Sequence, residues 1–175
     1  MRQTWVEQFR EEPPAIAALA IFVIAAATLG GAWFFQLVLK YPPCPMCLEE
    51  RIAYHIVIPL SLLMTLAGLA RAPRTLLTVG FIVIIIVALS GAGLSAYHAG
   101  VEWHFWKGPT DCTGPISDIK SSGALLNQLQ NINVVRCDEA AWRLLGISLA
   151  GYNALISLLI AAVAACGLLV RRQEA

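Results

Sequence analysis

The sequence predicts an all-α membrane protein, an antiparallel bundle of four transmembrane helices with a long outer loop that carries a short amphipathic helix. Two observations predict it. Of 175 residues, 58% are hydrophobic and only 13% charged, more apolar side chain than one small soluble core could hide, so the excess must face lipid. Four runs, about 15–39, 52–70, 76–97 and 144–170, reach the roughly 20 apolar residues that a helix needs to cross the hydrocarbon layer. The chain is expected to form a single membrane domain over 1–175, with outer loops at about 40–51 and 98–143.

The first run follows a polar leader containing Glu7, Glu11, Glu12, Pro13 and Pro14 and is too long for a cleavable signal core, so it is expected to stay as a helix. Small residues that allow close helix approach stand in the first run (Gly30, Gly31) and the third (Ser90, Gly91, Ala92, Gly93, Ser95). The fourth run is longer than a span requires and is expected to tilt or to extend beyond the bilayer. An even number of spans puts both termini and the 71–75 turn on one side and the two cysteine-bearing loops on the other.

Lysine and arginine are evenly divided between the sides: Arg2, Arg10, Arg71, Arg74, Arg171 and Arg172 against Lys40, Arg51, Lys107, Lys120, Arg136 and Arg143. The first group occupies far fewer residues and hugs the helix ends, which predicts a cytoplasmic terminal side. The cysteine loops then face the compartment where disulfides persist. A net charge of +1 with no basic block argues against nucleic acid.

In the outer loop, Trp103, Phe105 and Trp106, with Trp142 before the fourth run, read as interfacial aromatics. Leu125, Leu126, Leu129 and Ile132 fall at helical spacing between polar residues, which predicts the amphipathic helix lying on the membrane. Gly108-Pro109, Gly114-Pro115 and Ser121-Ser122-Gly123 flank Cys112 and predict flexible backbone around it.

The chemistry lies in five cysteines. Cys166, inside the fourth run, is expected to be a buried, inert small hydrophobe. Cys44 and Cys47 form a C-x-x-C motif that runs into Leu48-Glu49-Glu50-Arg51, a good helix start. Such a pair closes into a small disulfide or opens to two thiols, and a helix N-terminus stabilises the reactive thiolate. Arg51 is the i+4 neighbour of Cys47 and brings a guanidinium to the membrane edge, where a charge is costly without a task or a partner.

Three readings compete for Cys44, Cys47, Cys112 and Cys137. A zinc site would use the C-x-x-C as half its ligands, but structural zinc normally takes a second close pair, and Cys112 and Cys137 are far apart in sequence. Structural disulfides would suit Cys112 with Cys137, where loop closure is worth about 3.5 kcal/mol, but the tiny Cys44–Cys47 loop gains little. An electron relay gives both pairs a purpose, one exchanging with a soluble thiol protein and the other passing electrons into the membrane.

Four spans, the Cys44-Pro45-Met46-Cys47-Leu48-Glu49-Glu50-Arg51 element after the first, Tyr97-His98 at the outer end of the third, and Cys112 with Cys137 in the long loop resemble the bacterial disulfide bond formation protein B (DsbB) family over nearly the whole chain. The resemblance implies a quinone-dependent protein-disulfide oxidoreductase of the bacterial inner membrane. Its periplasmic loops would reoxidise a DsbA-like periplasmic thiol oxidase at the expense of ubiquinone or menaquinone.

By motif, Cys112 would be attacked by the partner's thiolate, Cys137 would then attack Cys44, and Cys47 would be freed to face the quinone. Arg51 and His98 would lie at the quinone. Glu50 would orient Arg51 or favour the helix N-terminus. No metal is implied, and His55 and His104 have no clear role. Two rivals are a vitamin K epoxide reductase-like protein, whose C-x-x-C lies near the end of the last core helix, and a non-enzymatic scaffold stapled by disulfides.

Overall fold

The computed structural model describes residues 13–109 and 136–173, with side chains through Val170. Among these residues the elements are α1 (Pro13–Leu37), α2 (Pro45–Leu69), α3 (Arg74–Glu102), β1 (Arg143–Leu144), β2 (Ile147–Ser148) and α4 (Leu149–Gln173). The helices include four segments long and apolar enough to cross a membrane, Pro13–Leu37, Pro45–Leu69, Arg74–Glu102 and Leu149–Val170. Among the described residues the fold is an all-α membrane bundle with a small hairpin at the end that carries Cys44 and Cys47.

The packing runs as a ring: α1 on α2, α2 on α3, α3 on α4, and α4 back on α1, with the α3–α4 interface the most extensive. Ile21 and Ala25 of α1, Val57 and Met64 of α2, Phe81 and Ile84 of α3, and Ile160 and Ala164 of α4 meet in one buried core. The opposite faces carry Val23, Leu63, Ile86 and Leu159, all exposed, as expected for helices whose surroundings are lipid rather than water.

Several boundaries differ from the apolar runs, for local reasons. α2 starts at Pro45, ahead of the run at Ile52, because proline fits the first helical position and Cys44 caps the helix. α3 continues past Tyr97 to Glu102. The fourth run opens at Leu144 in a hairpin instead of a helix. Arg143 pairs with Ser148 and Leu144 with Ile147, across a two-residue turn with φ of 51° at Leu145 and 83° at Gly146. Positive φ at both turn residues matches the strand twist, and glycine adopts it without steric cost.

Close approach falls on fewer small residues than expected. A β-carbon on Gly91 would lie 3.2 Å from that of Ala53, so this glycine brings α3 against α2, whereas Gly30, Gly31 and Gly93 face open space. Cys166 is also not buried: it is a free thiol on the exposed side of α4, since its position on the helix turns it away from the core face of Ile160 and Ala164. The acidic leader, the proposed amphipathic helix around Leu125–Ile132, and Cys112 lie outside the described residues.

Candidate functional site

The site starts at the α2 N-terminus. Cys44 has extended backbone (φ −76°, ψ 164°), Pro45 begins the helix, and the Cys47 amide donates to Cys44 Sγ at 3.1 Å. Cys44 and Cys47 are joined in a disulfide with their Cα atoms 5.1 Å apart, inside the range such bonds require. Cys44 is buried and Cys47 half-buried. When the bond opens, the Cys47 amide and the positive end of the helix dipole act directly on the Cys44 sulfur.

A polar network then crosses three helices. Cys44 Sγ lies 3.6 Å from His98 Nε2, and His98 Nδ1 lies 2.7 Å from Glu50 Oε1. Asn153 Nδ2 donates to Glu50 Oε2 at 2.8 Å and approaches Ser95 Oγ at 2.7 Å. The Tyr54 hydroxyl donates to Asn153 Oδ1 and sits 3.3 Å from Ser157 Oγ. With Nδ1 held on a carboxyl, the His98 ring is fixed in orientation with Nε2 beside the Cys44 sulfur.

Arg51 projects on the other side of the C-x-x-C. Its Nη1 donates to Gln36 Oε1 at 2.6 Å, and its guanidinium lies 5.6 Å from the Trp33 ring centroid, so α1 supplies both its acceptor and an aromatic face. Glu50 therefore does not orient Arg51, one of the two roles expected for it. Its two oxygens are engaged by His98 and Asn153, because position 50 points into the bundle while position 51 points toward α1.

The second cysteine element reaches the same place. Cys137, 1% exposed, packs with Cys44 and Met46, is disulfide-bonded, and hydrogen-bonds His98 through its backbone. A cavity of about 320 Å³ opens beside these groups, lined by Cys44, Cys47, Arg51, His98, Glu102 and Asn153 and by the apolar Leu29, Phe35 and Ile156. The two C-x-x-C sulfurs and a His98 nitrogen lie within 4.8 Å of one another, a spacing a metal could bridge, but the sulfurs are bonded to each other and so are not thiolate ligands.

Outside the spans, Arg136 grips Asp138 with Nε to Oδ1 at 3.0 Å and Nη2 to Oδ2 at 2.6 Å. This fork holds the Asp138 carboxyl below the usual aspartate range. It stands next to buried Cys137 in sequence, at the start of the described segment that returns to α4.

Of the expected site residues, Cys44, Cys47, Glu50, Arg51, His98 and Cys137 come together, and Cys112 lies outside the described residues. His55 is exposed and turned back on the Arg51 carbonyl at 2.8 Å, and His104 lies on the Val101 carbonyl at 3.3 Å. Neither is among the residues lining the cavity. Sequence reasoning missed Tyr54, Ser95, Glu102 and Asn153. For Tyr54, Ser95 and Asn153 the signal was polarity inside apolar runs, where an unexplained polar group implies a partner on another helix. Glu102 also stands four residues after His98, on the same helix face.

A helical membrane bundle that holds a disulfide at a helix N-terminus, backed by a buried histidine and a second disulfide cysteine, defines a membrane thiol–disulfide protein. Residues 14–167 match the family described as disulfide bond formation protein DsbB, and the chain belongs to that family. It is similar to disulfide bond formation protein B of Aromatoleum aromaticum (27% identical, covering 89% of this chain and 92% of the relative) and to that of Verminephrobacter eiseniae (29%, covering 98% and 95%). An uncharacterized protein of Rickettsia prowazekii is 26% identical, covering 87% of each chain. Family membership makes this a multi-pass membrane protein of disulfide bond formation, with protein-disulfide oxidoreductase activity.

Proposed function

We propose that this protein reoxidises a DsbA-like periplasmic thiol oxidase and relays the electrons through Cys112–Cys137 and then Cys44–Cys47 to ubiquinone or menaquinone. It would do so in the bacterial inner membrane, with both termini cytoplasmic. The observation that carries the reading is that buried Cys137 packs directly against Cys44 at the wall of a cavity that Arg51 and His98 also line.

In this scheme a partner thiolate attacks Cys112 and releases Cys137, and the partner's second thiol then resolves the mixed disulfide. Cys137 attacks Cys44, freeing Cys47, and Cys112 closes back on Cys137 to leave Cys44 and Cys47 as the dithiol. His98 Nε2 takes or returns the Cys44 proton, and Arg51, one turn from Cys47, steadies the Cys47 thiolate.

The cavity supports a quinone as acceptor. Its volume of about 320 Å³ falls in the range of small-ligand sites, its walls are largely apolar, and it offers the guanidinium of Arg51 and the ring of His98 to carbonyl oxygens. When bound, the quinone supplies the sink for the two electrons and two protons that leave the dithiol.

The test is quinone reduction by the purified protein supplied with a reduced thioredoxin-fold oxidase. Turnover with a redox-responsive Cys44–Cys47 pair is expected. A pair that stays oxidised whatever the partner and quinone would leave only disulfides that staple the fold. Thiol labelling of intact cells under reducing conditions tests the orientation, which would be reversed if Cys44 and Cys112 were reached only from the cytoplasmic side.

A further inference from the structure

We propose that Glu102 is the proton carrier of the cavity, accepting at Oε2 a proton released by the dithiol and handing it to the bound acceptor. The inference rests on the quinone-linked reading above. Glu102 ends α3 one turn beyond His98, is 7% exposed, and lines the cavity shared by Cys44, Cys47, Arg51 and His98. Its Oε2 is the buried side-chain oxygen without a hydrogen-bond partner among the described residues, while Ser148 hydrogen-bonds the carboxyl group. Arg143 pins the backbone beneath it, donating from Nη2 to the Glu102 carbonyl at 3.2 Å.

A buried acceptor left without a donor is costly, and native structures keep such atoms where they have a task. A donor on a ligand in the cavity would pair this one, and a proton taken up on it would discharge the carboxylate and turn the oxygen into a donor.

The proton balance points the same way. Closing Cys44–Cys47 from two thiols releases two electrons and two protons, and the acceptor takes up both. Arg51 keeps its own proton and cannot relay one. His98 Nε2 serves Cys44, with Nδ1 committed to Glu50. Both oxygens of Glu50 are engaged by His98 and Asn153. The proton that Cys47 gives up in becoming the thiolate steadied by Arg51 therefore needs another carrier, and the open oxygen of Glu102 stands in the same cavity. Glu102 holds that proton while Cys44 and Cys47 are reduced, passes it to the acceptor as their disulfide closes, and ends each cycle ionised. The ionisable groups that act on its carboxyl are His98 on α3, Glu50 on α2 and Arg143 on β1, and Arg51, Tyr41, Tyr54, Tyr152, Arg136 and Glu139 line the same cavity.

The test compares wild type, Glu102→Gln and Glu102→Asp in single-turnover oxidation of the Cys44–Cys47 dithiol by a soluble quinone across pH. Glu102→Gln should slow this step about a hundredfold and remove one ionisation from its profile. Glu102→Asp should keep that ionisation at an intermediate rate. Adduct formation with the thiol partner should not change.

A readout independent of rate is the infrared difference spectrum between dithiol and disulfide forms. Wild type should show a carboxylic acid C=O band that is absent in Glu102→Gln and shifted in Glu102→Asp. A folded Glu102→Gln with wild-type rate, profile and spectrum overturns the inference while leaving the quinone reading standing. If Glu102→Gln does not fold, a band that stays in place in Glu102→Asp overturns it equally. A wild-type dithiol that quinone does not oxidise overturns the parent reading and this inference together.

Discussion

Replacing Asn153 by alanine tests whether the buried network holds the bundle and the His98 ring together. The amide bridges Glu50 Oε2 (2.8 Å) and Ser95 Oγ (2.7 Å) and accepts from the Tyr54 hydroxyl, so it ties α4 to both α2 and α3. Removing it leaves Glu50 Oε2 without that donor in a site where Glu50 is 7% exposed, and an orphaned buried acceptor costs about 1–3 kcal/mol. The neutral bond to Ser95 adds about 0.6 kcal/mol, the average for interhelical hydrogen bonds in membranes. Tyr54 loses less, because Ser157 Oγ remains 3.3 Å away.

Asn153→Ala should therefore destabilise the bundle by about 2–4 kcal/mol. Tyr54→Phe, which removes one neutral donor, should cost about 0.6 kcal/mol. The assay is reversible unfolding in mixed detergent micelles, followed by helical circular dichroism and by the NMR shifts of the His98 ring. A shift below about 0.5 kcal/mol in Asn153→Ala, with His98 resonances unchanged, would refute the argument that this network bears on stability and on His98 placement.

Arg51→Lys should raise the apparent quinone KM and lower kcat about tenfold or more, since an ammonium cannot reproduce the planar fork held between Gln36 and Trp33. Wild-type constants in folded Arg51→Lys and Arg51→Ala would reduce the residue to an interfacial anchor. Cys112→Ala should stop turnover with the thiol partner, whereas Cys47→Ala should stop electron delivery yet let a partner adduct accumulate; gel analysis of trapped mixed disulfides separates the two. Gly91→Leu should cost about 1–3 kcal/mol by overpacking against Ala53, read in the same micelle unfolding assay, while Gly30→Ala should be neutral or stabilising. Because Arg136 depresses the folded-state pKa of Asp138, its contribution is complete above the ordinary aspartate range and is lost as pH falls through the depressed value. Reduction of the Cys137 disulfide by a phosphine should accelerate over that acidic window, and the step should vanish in Asp138→Asn.

Hydropathy decides a great deal by itself, because whether a segment enters lipid depends on the residues of that segment alone. The four spans, the membrane class and the helix start that presents Cys44 and Cys47 were all legible on that basis, and Arg51 could be placed beside Cys47 because i and i+4 are neighbours on any helix. What the sequence left open depended on the rotation and register of one helix against another. Near-uniform apolar runs do not specify either, since every face of such a helix can meet lipid. Tertiary packing turned Glu50 toward His98 and Asn153 and away from Arg51, put Cys137 against Cys44, left Glu102 Oε2 without a donor at the cavity, and turned Cys166 outward. Gly91 became a contact and Gly30 did not, although both stand in apolar helices, because only the assembled bundle determines which face of each helix another helix covers.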